Sequence, residues 1–174
     1  MEQAELLAAI GAAFPVEPRP NMTLRQAALG DETMSREISE EEWVAAGNRD
    51  HHLLWSDLSP QDLIDGQIGL AFLDDESFQY YLPAFLKFAA VNLNHSVLDP
   101  YDRVVTSAIF SVTYLAPHNL SRLKKLTDSQ IEVVILFLRF VCDHDGSNAA
   151  LANNALREYW ETPEAMRRTL VYVP

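Results

Sequence analysis

A chain of 174 residues with 48% hydrophobic content is long enough to bury one sizeable core and too short to expect two domains. Its formal net charge of −12 disfavours nucleic acid as a partner, because neutralising phosphates takes a basic surface. A single cysteine, Cys142, rules out an internal disulfide framework.

The charge is lopsided. Residues 1–80 carry 16 Asp and Glu against 4 Arg, whereas residues 81–174 carry 9 acids against 9 Lys and Arg. Met1-Glu-Gln-Ala-Glu5 is acidic where a secretory leader would be basic, so a cytoplasmic protein is expected. Cys142, in an apolar run, fits a small core residue in a reducing compartment.

In chain order, Glu2–Phe14 is a first amphipathic helix with Leu6, Leu7, Ile10 and Phe14 on one side, ended by Pro15. Thr23 caps a short helix expected to close at Gly30. Ser39-Glu-Glu-Glu42 matches a capping box and opens a helix running through Trp43 to a stop at Gly47. Asn48 to His52 reads as a turn, Leu53, Leu54, Trp55 and Leu58 as a patch docked on the core. Ser59-Pro60 is a serine cap with proline at the first helical position.

The organising stretch follows. Asp74 caps a helix on which Phe78, Tyr81, Phe85 and Phe88 fall at spacings of three, four and three, one face of rings. Leu82, Leu86, Ala89 and Leu93 form a second apolar row. Gln79, Lys87, Asn92 and Asn94 interrupt the run, so a buried helix is expected rather than a membrane span. Pro83 should kink this helix or split it in two. Residues 102–115 are rich in β-branched side chains and fit helix or strand, helix being favoured by context. Pro117 breaks that segment, and Asn119–Leu126 is a short helix. Thr127-Asp-Ser-Gln130 is another capping box, and Ile131–Cys142 behind it is a second nearly all-apolar helix, the natural partner of the first. Asn148–Trp160 is amphipathic through Leu151, Leu156, Tyr159 and Trp160. Thr162-Pro163 starts a last turn, and Leu170–Pro174 is an apolar tail. The expected fold is all-α: one compact helical bundle over residues 1–174, built around two buried apolar helices at about 74–93 and 128–143.

Chemical motifs are sparse. Six scattered glycines form neither a dinucleotide nor a P-loop fingerprint, and no Gly-x-Ser-x-Gly elbow is present. His144-Asp145 has the form of a phosphohydrolase metal dipeptide, but no aspartate follows position 145. Asp143 to Asn148 has a calcium-loop flavour with glycine at the wrong position and Asn154 where the closing glutamate belongs. His51 and His52 with Asp50 could ligate a metal only if a loop folds them together. No cofactor and no metal is expected.

Trp55-x-x-Leu58, Leu63, Phe72-Leu73 and Phe78-x-Tyr-Tyr-Leu-Pro-Ala-Phe-Leu86 resemble an uncharacterised family of bacterial domains of unknown function. That resemblance implies a cytoplasmic, helical protein and carries over no catalytic residue. The charge split points instead to a non-enzymatic, immunity-like or regulatory protein that contacts a basic protein partner. Its densest contact candidates are Asp31, Glu32, Glu37, Glu40, Glu41 and Glu42. The alternative is a small metal-dependent hydrolase using the His/Asp clusters. Monomer and homodimer are both open.

Overall fold

Most helix starts in this chain are set by side chains that satisfy the first free amides, although those at Pro117 and Ala149 have no side-chain cap, as seen in the computed structural model. It describes residues 1–32, 36–48, 50, 53–94 and 99–162, without the side chain of Glu32. Among these residues there are nine α-helices and no strand: α1 (Gln3–Ala13), α2 (Leu24–Glu32), α3 (Glu40–Asn48), α4 (Pro60–Gly66), α5 (Asp75–Asn92), α6 (Pro100–Thr113), α7 (Pro117–Leu123), α8 (Asp128–His144) and α9 (Ala149–Ala155). Short 3-10 turns cover Trp55–Asp57 and Gln67–Ala71, and a π-helical turn, Leu156–Trp160, follows α9.

The caps follow the sequence reading. The Asp74 carboxylate accepts from Ser77 N at 2.8 Å. In the Ser59 box, Ser59 Oγ accepts from Asp62 N at 3.2 Å while Asp62 accepts from Ser59 N at 2.9 Å. Thr127 and Gln130 exchange the same pair of bonds at 3.4 and 3.0 Å. Thr23 does more than expected, because Gln26 accepts from its N–H at 2.9 Å and completes a box. Such caps contribute about 1 kcal/mol each.

The apolar rows form the core. Phe78, Tyr81, Phe85 and Phe88 are all buried, as are Leu82, Leu86, Ala89 and Leu93. The rings are core packing, and Phe88 also borders a surface cleft beside Trp55, Leu63 and Tyr101. Pro83 does not split the helix: α5 runs unbroken from Asp75 to Asn92 with Pro83 inside it. The proline forfeits one backbone bond, at about 3 kcal/mol. Neighbouring buried side chains at about 1.5–3 kcal/mol each outweigh that loss. Residues 102–115 resolve as helix α6. Asp99 accepts from Tyr101 N at 2.9 Å and Pro100 takes the first helical position. Val104, Val105, Ala108, Ile109 and Val112 then fall on one buried face, and that helical spacing overrides their β preference.

The partnership of the two apolar helices is less direct than their sequences suggest. α5 meets α8, and Gln79 Nε2 donates to Gln130 Oε1 at 2.6 Å between them. The longest contact of α5 is with α6, however, and α1 packs on both α5 and α8. α9 lies against α8 and α6, and Trp160, fully buried in the π turn, donates to Val112 O at 2.8 Å. α2 sits on the Gln67–Ala71 turn, where Gly69 lets two backbones approach: a Cβ there would lie 2.3 Å from Leu24 O.

Four local expectations are corrected. Gly30 does not end α2, which runs on to Glu32, and α3 continues past Gly47 to Asn48. α6 ends at Thr113, before Pro117, which instead opens α7 at its first position. Leu151 faces solvent while Ala152 and Ala155 are buried, so α9 turns its small residues to the core. The expected last turn from Pro163 and the tail Leu170–Pro174 lie outside the described residues.

Candidate functional site

Three of the six acids singled out by sequence lie on α3. Glu40, Glu41 and Glu42 occupy its first turn, where carboxylates suit the positive end of the helix dipole. Glu37 precedes it and is exposed, as are Glu40 and Glu41. Glu42 is committed inside the molecule. It accepts from Ser39 N at 3.1 Å, and Arg36 grips both of its oxygens at 2.9 and 2.8 Å. Those bonds from Arg36 and Ser39 hold its carboxyl at about 2. Asp31, half-buried, stands in the last turn of α2; Glu32 closes that helix, and its side chain lies outside the described part.

α3 is an outlying helix. Its tertiary packing is against α2, with Gln26 Nε2 donating to Trp43 O at 3.1 Å, and its one buried residue is Gly47. Val44, 50% exposed, stands on the same helix as the glutamates. α3 is thus an exposed helix with acids at one end and an apolar side chain, Val44, beyond them.

His144 and Asp145 are engaged at the end of α8. His144 Nδ1 lies 2.9 Å from Phe140 O and its ring stacks on Phe140 at 4.1 Å. Asp145, buried, accepts from Ser147 N, Asn148 N and Asn148 Nδ2 at 2.9, 3.1 and 2.7 Å. It is the anchor of the α8–α9 turn. His51 and His52 lie outside the described residues. Asp50, between α3 and the Trp55 turn, is 2% exposed and bound to Arg25 through both the backbone N–H (3.0 Å) and Nη1. Arg25 also donates to Asp62 at 2.9 Å, so this cluster ties α2 to α4 and to the residues after α3. Burial by itself would lower the Arg25 pKa, and the bonds to Asp62 and Asp50 more than reverse it. Among the described residues no group of three or more His, Cys, Asp or Glu is arranged to hold a metal ion. The Cys142 thiol, half-buried and pushed up by desolvation, is a poor nucleophile.

Sequence reading passes over a buried cation, Arg122 on α7. It is 7% exposed, with Nε donating to Asn119 Oδ1 at 2.7 Å and Nη1 to Leu70 O and Ala71 O at 3.1 and 3.2 Å. Its guanidinium lies over the Phe78 ring at 4.1 Å. Burial pushes its pKa down to about 10, which leaves it charged at neutral pH. No local pattern announces it, since its carbonyl partners lie some 50 residues upstream.

The described residues thus define an all-helical domain with an acidic outer helix, and none of its helices is long and apolar enough to cross a membrane. No curated protein and no solved structure matches it. The chain belongs to a family of unknown function, DUF6714, whose model matches residues 2–164. That span reaches well beyond the Trp55–Leu86 segment that carries the resemblance in the sequence.

Proposed function

We propose that this chain is a non-enzymatic binding domain, immunity-like or regulatory, in a bacterial cytoplasm, whose acidic N-terminal half docks a basic protein partner. The observation that carries the reading is the outlying position of α3. A helix that contributes only Gly47 to the buried interior does little for the core, yet it carries exposed Glu40, Glu41 and Val44, with exposed Glu37 just ahead of it. Complementary charge of this kind raises association rates and suppresses wrong partners.

The test is cross-linking of the native protein in its host at low salt, with partners identified by mass spectrometry. The expected product joins a basic protein to residues 37–44. Reversal of Glu37, Glu40 and Glu41 to Lys should slow association by about tenfold or more at low salt, with the difference shrinking as salt rises. Glu42 is left intact because it caps α3. Unchanged binding of the reversed variant to the recovered partner refutes the contact assignment.

A further inference from the structure

A cleft of about 230 Å³ lies between the Gln67–Ala71 turn, α6 and α7, lined by Gln67, Ile68, Phe110, Tyr114, Arg122 and their neighbours. In a chain of net charge −12, no aspartate or glutamate lines it. Arg122 supplies its charge. Holding the carbonyls of Leu70 and Ala71 accounts for Nη1, and Asn119 accounts for Nε. Nothing among the described residues accounts for Nη2: it makes no hydrogen bond, and no carboxylate comes within ion-pair distance of the guanidinium. Nor is that nitrogen sealed in, because among the described residues Ser77 Oγ is the one buried side-chain polar atom without a partner. The acid whose charge reaches Arg122, Asp75, is ion-paired with Lys125 instead; a buried cation with no direct counter-ion is costly, and an anion arriving at it recovers part of that cost.

A second donor faces the same space. Gln67 Oε1 accepts from Ser107 Oγ at 2.9 Å, which orients the amide and leaves its NH2 group without a partner among the described residues. The outer wall carries Phe110 and Tyr114, whose rings stack on each other at 4.7 Å and 16°, with the His118 ring against Tyr114 at 5.6 Å; Phe110 and Tyr114 are 49% and 42% exposed. Tyr114 is met by a ring from either neighbour, so Phe110, the more exposed of the two, is the ring left to meet a planar body. The volume falls below the roughly 300–1,000 Å³ of drug-sized sites, which limits the occupant to something the size of a single ring with one acidic group.

We propose that this cleft binds a small carboxylate with a flat apolar body, its oxygens taking Nη2 of Arg122 and the Gln67 amide and its ring lying against Phe110. The site is separate from the α3 acids, and its failure would leave the docking proposal standing.

Benzoate is the probe and benzamide its neutral isostere, each titrated into the full chain at constant ionic strength and followed by amide-resolved NMR. Benzoate should give saturable shifts at the Gln67 side-chain amide, Arg122 Nε and the backbone around Phe110. Benzamide should bind about tenfold more weakly, the difference expected when a charge-assisted bond is lost. Arg122→Gln should abolish the benzoate shifts. Because Arg122 also holds the Gln67–Ala71 turn, Gln67→Leu and Phe110→Ala provide readouts at partly exposed positions where folding is spared. Each should weaken benzoate by about threefold to tenfold. Absence of saturable benzoate shifts, equal binding of benzamide, or unchanged affinity in both Gln67→Leu and Phe110→Ala would overturn the proposal. So would inorganic phosphate saturating the same resonances more tightly than benzoate.

Discussion

Replacing Asp50 with alanine isolates the buried cluster that joins α2 to the chain after α3. The carboxylate accepts from the Arg25 N–H in the first turn of α2 and from Arg25 Nη1, so two losses combine. The cap-like bond to the backbone is worth about 1 kcal/mol, and a hydrogen bond between charged groups about 1.5–3 kcal/mol. Arg25 keeps Asp62 at 2.9 Å and Asp65 at 3.7 Å, so its charge is not orphaned, and the total stays near the lower end of the roughly 3–5 kcal/mol that breaking a buried pair costs. The expected loss is about 2.5–4 kcal/mol, a fall in Tm of about 5–15 °C for a chain of this length, read by urea and thermal unfolding. Asp50→Asn should recover the backbone share, about 1 kcal/mol, because an asparagine oxygen can still accept from the Arg25 N–H. Pairing Asp50→Ala with Arg25→Met in a double-mutant cycle should show strong coupling. A loss below about 1 kcal/mol for Asp50→Ala, or no coupling to Arg25, would refute this account of the cluster.

Two glycines should respond in opposite senses. Gly69→Ala forces a Cβ against Leu24 O at 2.3 Å and should destabilise by about 1–3 kcal/mol or more. Gly30, inside α2 with nothing within 4 Å of its Cβ position, should gain about 0.5–1 kcal/mol on replacement by alanine; chemical denaturation of both variants checks the pair. Acid should act first on α3. Arg36 and Ser39 hold the Glu42 carboxyl at about 2, below its ordinary value, so the contribution of Glu42 is complete above the unfolded-state pKa and is lost as pH falls through the folded one. A side-chain NMR titration should find Glu42 protonating near 2, with α3 amides losing protection before those of α5. In Arg36→Gln the midpoint should rise, and an unshifted midpoint would count against the pairing.

What could be read without coordinates was whatever a residue does to neighbours three or four positions away. Ser59 with Asp62, Thr127 with Gln130, Ser39 with Glu42 and Asp74 with Ser77 announce helix starts because donor and acceptor lie within one turn. The apolar rows of α5 and α8 announce burial for the same reason. Gly30 misleads, because glycine permits a helix end without requiring one. Of the acid cluster, exposure at Glu37, Glu40 and Glu41 followed from charge, whereas the capture of Glu42 by Arg36 needed the folded path between them.

The sequence by itself pointed to an all-α fold with helix or strand open over 102–115, to the places where most of its helices begin, and to the one-sided charge, all consequences of spacing and composition. Only the tertiary structure decided that α5 lies chiefly along α6, that Asp50 is sealed against Arg25, and that Arg122 stands in a cleft without an acid. The contacts behind them join residues from 13 positions apart (Phe88 and Tyr101) to 52 (Leu70 and Arg122). At such separations a pairing depends on which surfaces pack together, and no short-range pattern encodes it.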